Sequence, residues 1–139
     1  MNLVNASKSL KELGLRQTKS RVLIIEILEQ KRGPLSVEEI IHQMKVKRSF
    51  CDQATVYRIL VVLLQKKLIQ KITSPNSLLS RYEINTSDHH HFTCDDCGKI
   101  EEIVSCNVDI LINKLSKQKH LLVKGHSLEF YGLCARCQN

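Results

Sequence analysis

Two Cys-x-x-Cys pairs, Cys94 with Cys97 and Cys134 with Cys137, constrain the fold of this chain more than any other feature. Each pair can supply two thiolates to one ion from a tight turn, and two pairs together complete the tetrahedral site that holds structural zinc. The alternatives are reduced, buried thiols or a redox-active pair. We favour zinc because duplicated pairs in a basic, cytosolic protein suit a metal site better than a disulfide framework.

Four potential metal ligands stand in a row just upstream of the first pair, at residues 88–91. Side chains alternate between the faces of a strand, so His89 and His91 would share one face. Asp88 and His90 would share the other, and one segment could supply two metal sites. The candidates for the remaining ligands are Glu83 and Glu102 for the first site, and Asp109 and His126 for the second. Mixed imidazole and carboxylate ligands suit iron, manganese or zinc alike, whereas the alternative is a solvated polar strand.

The formal net charge of +7 is unevenly distributed along the 139 residues. Residues 1–83 carry 15 Lys and Arg against 7 Asp and Glu, a net charge of +8, whereas residues 84–139 carry 6 against 7. Five of the six Cys and five of the six His lie beyond residue 87. The sequence therefore predicts a basic part suited to the phosphates of nucleic acid, followed by a part rich in metal ligands.

Three helical segments in the basic part predict a helix-turn-helix. Residues 18–30 have apolar groups at helical spacing, and the Gly-Pro pair that follows ends this helix. Ser36, followed three residues later by Glu39, forms a capping box that opens the second helix. The third helix covers about residues 52–67, and its predicted buried face consists of Val56, Ile59, Leu60, Leu63 and Leu64.

The spacing of apolar residues then changes to that of strands. Two short runs, 68–73 and 79–84, flank the turn-forming residues 74–77 and predict a hairpin, or wing. The polar residues 85–88 predict a hinge, which divides the chain into domains over residues 1–84 and 85–139. In the second domain we expect two strands around the first Cys pair, a helix over about residues 107–119 and a last strand over residues 121–133.

Several motifs, occurring in order from about residue 13 to residue 137, resemble the ferric uptake regulator family. They are Gly14-Leu15-Arg16 with Thr18 and Arg21, the segment ATVYR at 54–58, the stretch HHHFTCDDCGKI at 89–100, and HSLE at 126–129 with Tyr131, Gly132 and Cys134. The resemblance implies a metal-dependent transcription regulator that acts as a homodimer on double-stranded operator DNA. It also implies an α+β fold, with an N-terminal winged helix-turn-helix joined by a short hinge to a small C-terminal α/β dimerisation domain.

The resemblance places the DNA-binding residues in the basic part. Tyr57 and Arg58 would lie on the recognition helix and reach a base edge and the phosphate backbone. Arg16 would reach toward a minor groove, and Arg21 would hold phosphate. These roles agree with the usual division of protein–DNA contacts, in which phosphate contacts position the protein and base contacts specify the sequence. The full predicted set is Arg16, Thr18, Arg21, Thr55, Tyr57 and Arg58. The alternative for Tyr57 is a core aromatic, but its neighbours already supply the buried face.

The resemblance also implies three metal sites, with the same partition of residues 88–91 as the strand argument. The sets are Cys94, Cys97, Cys134 and Cys137 for structural Zn²⁺; Glu83, His89, His91 and Glu102 for a regulatory Fe²⁺, Zn²⁺ or Mn²⁺; and Asp88, His90, Asp109 and His126 for a secondary ion. One departure concerns Pro34, which stands where iron- and peroxide-responsive members usually have a His ligand. Gln70 stands where some zinc-responsive members carry a His or Asp ligand.

Other classes of function have little support in the sequence. No nucleophile elbow, P-loop or zinc-protease motif occurs, so we expect no enzyme and no small organic substrate. The longest apolar runs, such as residues 59–64, are far shorter than the roughly 20 residues that span a bilayer. We therefore predict a cytoplasmic repressor with metal as corepressor at a palindromic operator. The alternatives are a zinc-stabilised constitutive nucleic-acid-binding module and, less favoured, a CxxC thiol oxidoreductase.

Overall fold

The computed structural model describes residues 6–31, 33–73, 78–85, 89–104 and 107–138. The chain divides into two compact units, Met1–Asn85 and Thr86–Asn139. The predicted turn at 74–77 and most of the predicted hinge lie outside the described residues. Among the described helices, none has the length and apolar character that crossing a membrane requires.

Within the described residues, the first unit combines four helices with a small antiparallel sheet. Its elements are α1 (Ala6–Glu12), α2 (Lys19–Gln30), β1 (Leu35–Ser36), α3 (Val37–Val46), α4 (Gln53–Gln65), β2 (Ile69–Ile72) and β3 (Arg81–Ile84). The sheet has the order β1-β3-β2, and β2 pairs with β3 as the predicted hairpin. The three predicted helices are confirmed, whereas α1 and the two-residue β1 were not predicted, because both are short and have weak sequence patterns.

Side-chain caps lie at the starts of the three longer helices of this unit: Thr18 caps α2, Ser36 caps α3 and Asp52 caps α4. The Thr18 hydroxyl accepts a hydrogen bond from the Arg21 amide before α2. At α3, the Ser36 hydroxyl accepts from the Glu39 amide (3.2 Å), and the Glu39 carboxylate accepts from the Ser36 amide (2.7 Å). The predicted capping box is therefore confirmed, and it satisfies two backbone donors that a helix start otherwise leaves unpaired.

A single apolar cluster forms the core of the first unit. It is built from one face of each helix and from the sheet, and its fully buried members include Leu10, Ile24, Ile40, Val56 and Leu63. On α4 the buried positions are those predicted, except that Leu64 is only half-buried. Because these positions recur at helical spacing, the residues between them point away from the core.

In the part of the second unit that the structure describes, the chain forms a three-stranded sheet and one helix. Its elements are β4 (His90–Cys94), β5 (Ile100–Ile103), α5 (Val108–Lys119) and β6 (Glu129–Gly132). The order is β5-β4-β6, with β5 antiparallel and β6 parallel to β4. The prediction of a strand over residues 121–133 is wrong for its first part, since only Glu129–Gly132 is strand. The strand is short because β4, its pairing partner, has only five residues.

The cap of α3 makes a testable contribution to stability. We expect Ser36→Ala to lower the free energy of unfolding by about 1 kcal/mol, because the Glu39 amide loses its acceptor. Gln53→Ala, at the exposed first residue of α4, is the control and should change stability by less than about 0.5 kcal/mol. Urea unfolding followed by circular dichroism measures both, and equal midpoints would show that the cap contributes nothing.

Candidate metal centres and nucleic-acid interface

The two Cys-x-x-Cys pairs meet in the second unit. All four sulfur atoms, from Cys94, Cys97, Cys134 and Cys137, lie within 4.8 Å of one another. The parallel pairing of Cys94 with Gly132 accounts for this, because it brings the residues that follow β6, including Cys134, next to the end of β4. The geometry and the donor set are those of a structural zinc site with four thiolate ligands.

Backbone amides surround the sulfur atoms and favour thiolates at two of them. The Cys134 amide donates to Cys94 Sγ at 3.3 Å. This bond and the one from the Cys97 amide lower the pKa of the Cys94 thiol to about 6. The pKa of Cys134 is also lowered, chiefly by the Cys137 amide. The pKa of Cys137 is raised, first by a hydrogen bond with Asp96, so the site does not favour thiolate equally at every position.

The three histidines of β4 and its start divide into two groups. The rings of His89 and His91 meet edge to face, with centroids 4.8 Å apart. The ring of His90 lies 5.1 Å from that of His126 instead. His90 and His91 are both buried, so the alternative of a solvated polar strand is wrong. Their identity as metal ligands stays a prediction.

The secondary set is only partly assembled. His90 and His126 lie together, but Asp109 is exposed at the start of α5 and completes no three-ligand group with them among the described residues. Asp88 lies outside the described residues. The structure therefore brings two of the four predicted secondary ligands together.

Two carboxylates flank His91 through the strand register. Glu102 on β5 pairs with His91, as predicted from the sequence, and its side chain is exposed. Glu129 pairs with His91 from β6 on the other side and accepts a hydrogen bond from the Tyr131 hydroxyl. The position of Glu129 beside His91 was not predicted, because β6 is far from β4 in the chain and only the strand pairing brings the two residues together.

Glu83, the remaining predicted regulatory ligand, lies on β3 of the first unit. Its side chain is 8% exposed, and its Oε1 accepts a hydrogen bond from Gln70 Nε2 at 2.5 Å. Pro34 is also buried, and its carbonyl accepts from Arg81 Nη1 at 3.3 Å. A proline side chain has no donor atom for a metal, so the first unit has no imidazole at this position.

The recognition-helix candidate, α4, presents the predicted side chains outward. Tyr57 is 43% exposed and Arg58 is exposed, whereas Val56 and Ile59 on either side of them are buried. The alternative of a core aromatic at position 57 is therefore wrong. Because the helix is anchored by its buried face, Tyr57 and Arg58 can contact another molecule without disturbing the core.

The other predicted DNA-binding residues surround the starts of α2 and α4. Arg16 is exposed, and its carbonyl accepts from Arg21 Nη1 at 2.9 Å, which ties the two residues together. Thr18 is the N-cap of α2. The Thr55 hydroxyl and amide both donate to the Asp52 carboxylate and lower its pKa, so Thr55 contributes to the cap of α4.

Comparisons with known proteins agree with this architecture. Residues 12–131 match the ferric uptake regulator family. The chain is 31% identical to the ferric uptake regulation protein of Legionella pneumophila, over 95% of this chain and 98% of that one. It is 32% identical to the peroxide operon regulator of Bacillus subtilis, over 97% and 92%.

Solved structures give the same result. The Helicobacter pylori ferric uptake regulator, described as having three functional metal-binding sites, superposes with a TM-score of 0.83 at 30% identity, over 96% of this chain and 89% of that one. A zinc-bound manganese uptake regulator superposes with a TM-score of 0.71 at 26% identity, over 94% and 99%. The chain thus belongs to the ferric uptake regulator family of metal-responsive, DNA-binding transcription regulators.

Proposed function

We propose that this protein is a homodimeric repressor that binds a palindromic operator when a divalent metal occupies the site around His89 and His91. The observation that carries this proposal is the pair of imidazole rings at the start of the second unit, of which His91 is buried. The pair lies only a few residues after a basic helix-turn-helix unit ends. Because the proposed partner is genomic DNA, the proposed place of action is the cytoplasm.

The proposed switch is a difference in affinity between two conformations. A metal favours the DNA-binding arrangement of a dimer only if it binds that arrangement better than the other. A hundredfold preference supplies about 2.7 kcal/mol. In the DNA-binding arrangement the two recognition helices would be separated by about 34–36 Å, the spacing of successive major grooves on one face of DNA.

We assign the regulatory ligands as His89 and His91 from the second unit, with Glu83 and Glu102 as carboxylates. Imidazole with carboxylate suits Fe²⁺, Mn²⁺ and Zn²⁺, so the donor set defines a class of metals. When bound, the ion supplies positive charge that holds these ligands in one arrangement. The buried state of His91 and its pairing with Glu102 support this assignment.

The four-cysteine centre has a separate, structural role in this proposal. Its sulfurs belong to segments far apart in the sequence, and α5 between them has no buried residue. A unit with so little core of its own gains most from a metal that ties its segments together. The convergence of both pairs on one centre also argues against a thiol oxidoreductase, which needs one accessible pair.

The structural role of zinc can be tested with Cys97→Ser. We expect this variant to lose the tightly held zinc, about one ion per chain in the parent, and the second unit to lose its ordered structure. Cys51→Ser, which removes a half-buried thiol of the first unit, is the control. It should keep the zinc and the ordered structure of the second unit. Elemental analysis and amide NMR spectra measure these effects. Retention of zinc by Cys97→Ser would contradict the assignment.

The metal switch can be tested by fluorescence anisotropy on promoter DNA, without oxygen. After exchangeable metal is removed and Fe²⁺, Mn²⁺ or Zn²⁺ is added back separately, we expect one metal to strengthen operator binding about 100-fold, as the proposed preference requires. His91→Ala should abolish this response, whereas His120→Ala, an exposed histidine after α5, should retain it. Equal binding with and without metal would instead identify a constitutive, zinc-stabilised DNA-binding module.

The roles proposed for Arg58 and Tyr57 on α4 predict different effects of DNA sequence and salt on DNA affinity. Arg58→Ala should weaken binding to operator and unrelated DNA alike, and should reduce the slope of log affinity against log salt by about 1. Tyr57→Ala should cost about 1–3 kcal/mol on the operator only. Lys66→Ala, an exposed cation at the other end of α4, is the control. A sequence-dependent loss in Arg58→Ala would contradict its phosphate role.

A further inference from the structure

Gln70 and Glu83 form a close pair on the sheet of the first unit. They are directly opposite in the antiparallel register of β2 and β3. Gln70 Nε2 donates to Glu83 Oε1 at 2.5 Å. A carboxylate only accepts hydrogen bonds, so the contact requires the amide to present its NH₂ group, and the amide oxygen is directed elsewhere.

The register makes this pairing specific. The neighbouring pairs, Ile69 with Ile84 and Lys71 with Tyr82, point to the other face of the sheet. On that face Ile69, Tyr82 and Ile84 belong to the apolar core. A slip of one residue would place Glu83 on the core face, so the burial of the apolar residues also fixes where the carboxylate points.

The chemistry of the pair suits a carboxylate that is to receive a cation. A buried carboxylate requires compensation, and an amide N–H orients it without cancelling its charge. Arg81, the basic residue on the same strand, forms an ion pair with Glu39 at 2.6 Å and also donates to the Pro34 carbonyl. The two oxygens of a carboxylate offer about four acceptor positions, so a carboxylate that accepts from an amide can also bind an ion.

We propose that Gln70 is a positioning residue for the regulatory metal: it holds Glu83 in the orientation that binds the ion and is not itself a ligand. This inference rests on the proposed function of Glu83. In this proposal the first unit contributes an oxygen ligand held by a neutral donor. The side chain of Pro34 has no ligand atom, and His42 is exposed on α3. Replacing a residue that hydrogen-bonds to a metal ligand typically lowers metal affinity about 10- to 100-fold.

The test uses the full-length protein with its structural zinc retained. Gln70→Met keeps the length of the side chain but removes the donor, and Gln70→Ala provides the same comparison if the thioether disturbs the sheet. Lys71→Ala, the adjacent exposed residue on the opposite face, is the matched control. Calorimetric titration with Mn²⁺ gives the affinity, the absorption spectrum of the Co²⁺ form reports on the ligands, and thermal unfolding of the protein without regulatory metal checks the fold.

We expect Gln70→Met to weaken Mn²⁺ binding at least about 10-fold and to alter the Co²⁺ spectrum. The variant should still unfold cooperatively, with a lower midpoint because Glu83 loses a donor, and Lys71→Ala should bind Mn²⁺ as the parent does. Glu83→Ala should weaken binding at least as much, and adding Gln70→Met to it should have no further effect, because the amide then has no carboxylate to hold.

The outcomes separate the inference from the proposed function. Normal Mn²⁺ affinity in Gln70→Met beside weak binding in Glu83→Ala would overturn the role of Gln70 and leave Glu83 as a ligand. An additive loss in the double variant would also overturn it, since Gln70 would then act independently of Glu83. Normal affinity in both single variants would remove Glu83 from the regulatory site, and the inference with it.

Discussion

The parallel pairing of β4 with β6 is the interaction on which the metal chemistry of the second unit depends. It places Cys94 opposite Gly132, so that the second cysteine pair follows directly beside the first. It also places Glu129 opposite His91. Parallel strands need a long crossover, which here contains α5. Potential ligands from the two ends of the unit therefore become neighbours through one short ladder of backbone hydrogen bonds.

The first unit is organised differently, by local signals at the helix starts. Caps at Thr18, Ser36 and Asp52 fix where α2, α3 and α4 begin. Once a helix start is fixed, the 3.6-residue period decides which side chains enter the core and which remain outside. The outward positions of Tyr57 and Arg58 follow from this period and from the burial of their neighbours.

The two units contribute different kinds of chemistry to one proposed switch. The first unit contributes positive charge for DNA and, at Glu83, a carboxylate oriented by Gln70. The second contributes imidazoles and thiolates, which are softer ligands. Because the side chain of Pro34 has no ligand atom, the oxygen ligand proposed for the first unit is Glu83, whose orientation depends on the bond from Gln70. In this proposal a neutral glutamine therefore affects a metal site that it does not enter.

The sequence alone determined those features that depend on residues close together in the chain. The capping box at Ser36, the helical periods, the strands around the first cysteine pair and the alternation of His89, His90 and His91 all follow from local geometry. Tertiary structure decided what depends on pairing between distant segments: the neighbours of β4, the position of Glu129 beside His91, the short length of β6 and the bond from Gln70 to Glu83. Local periodicity predicts which face a side chain occupies, but strand register and burial determine which distant residue it meets there.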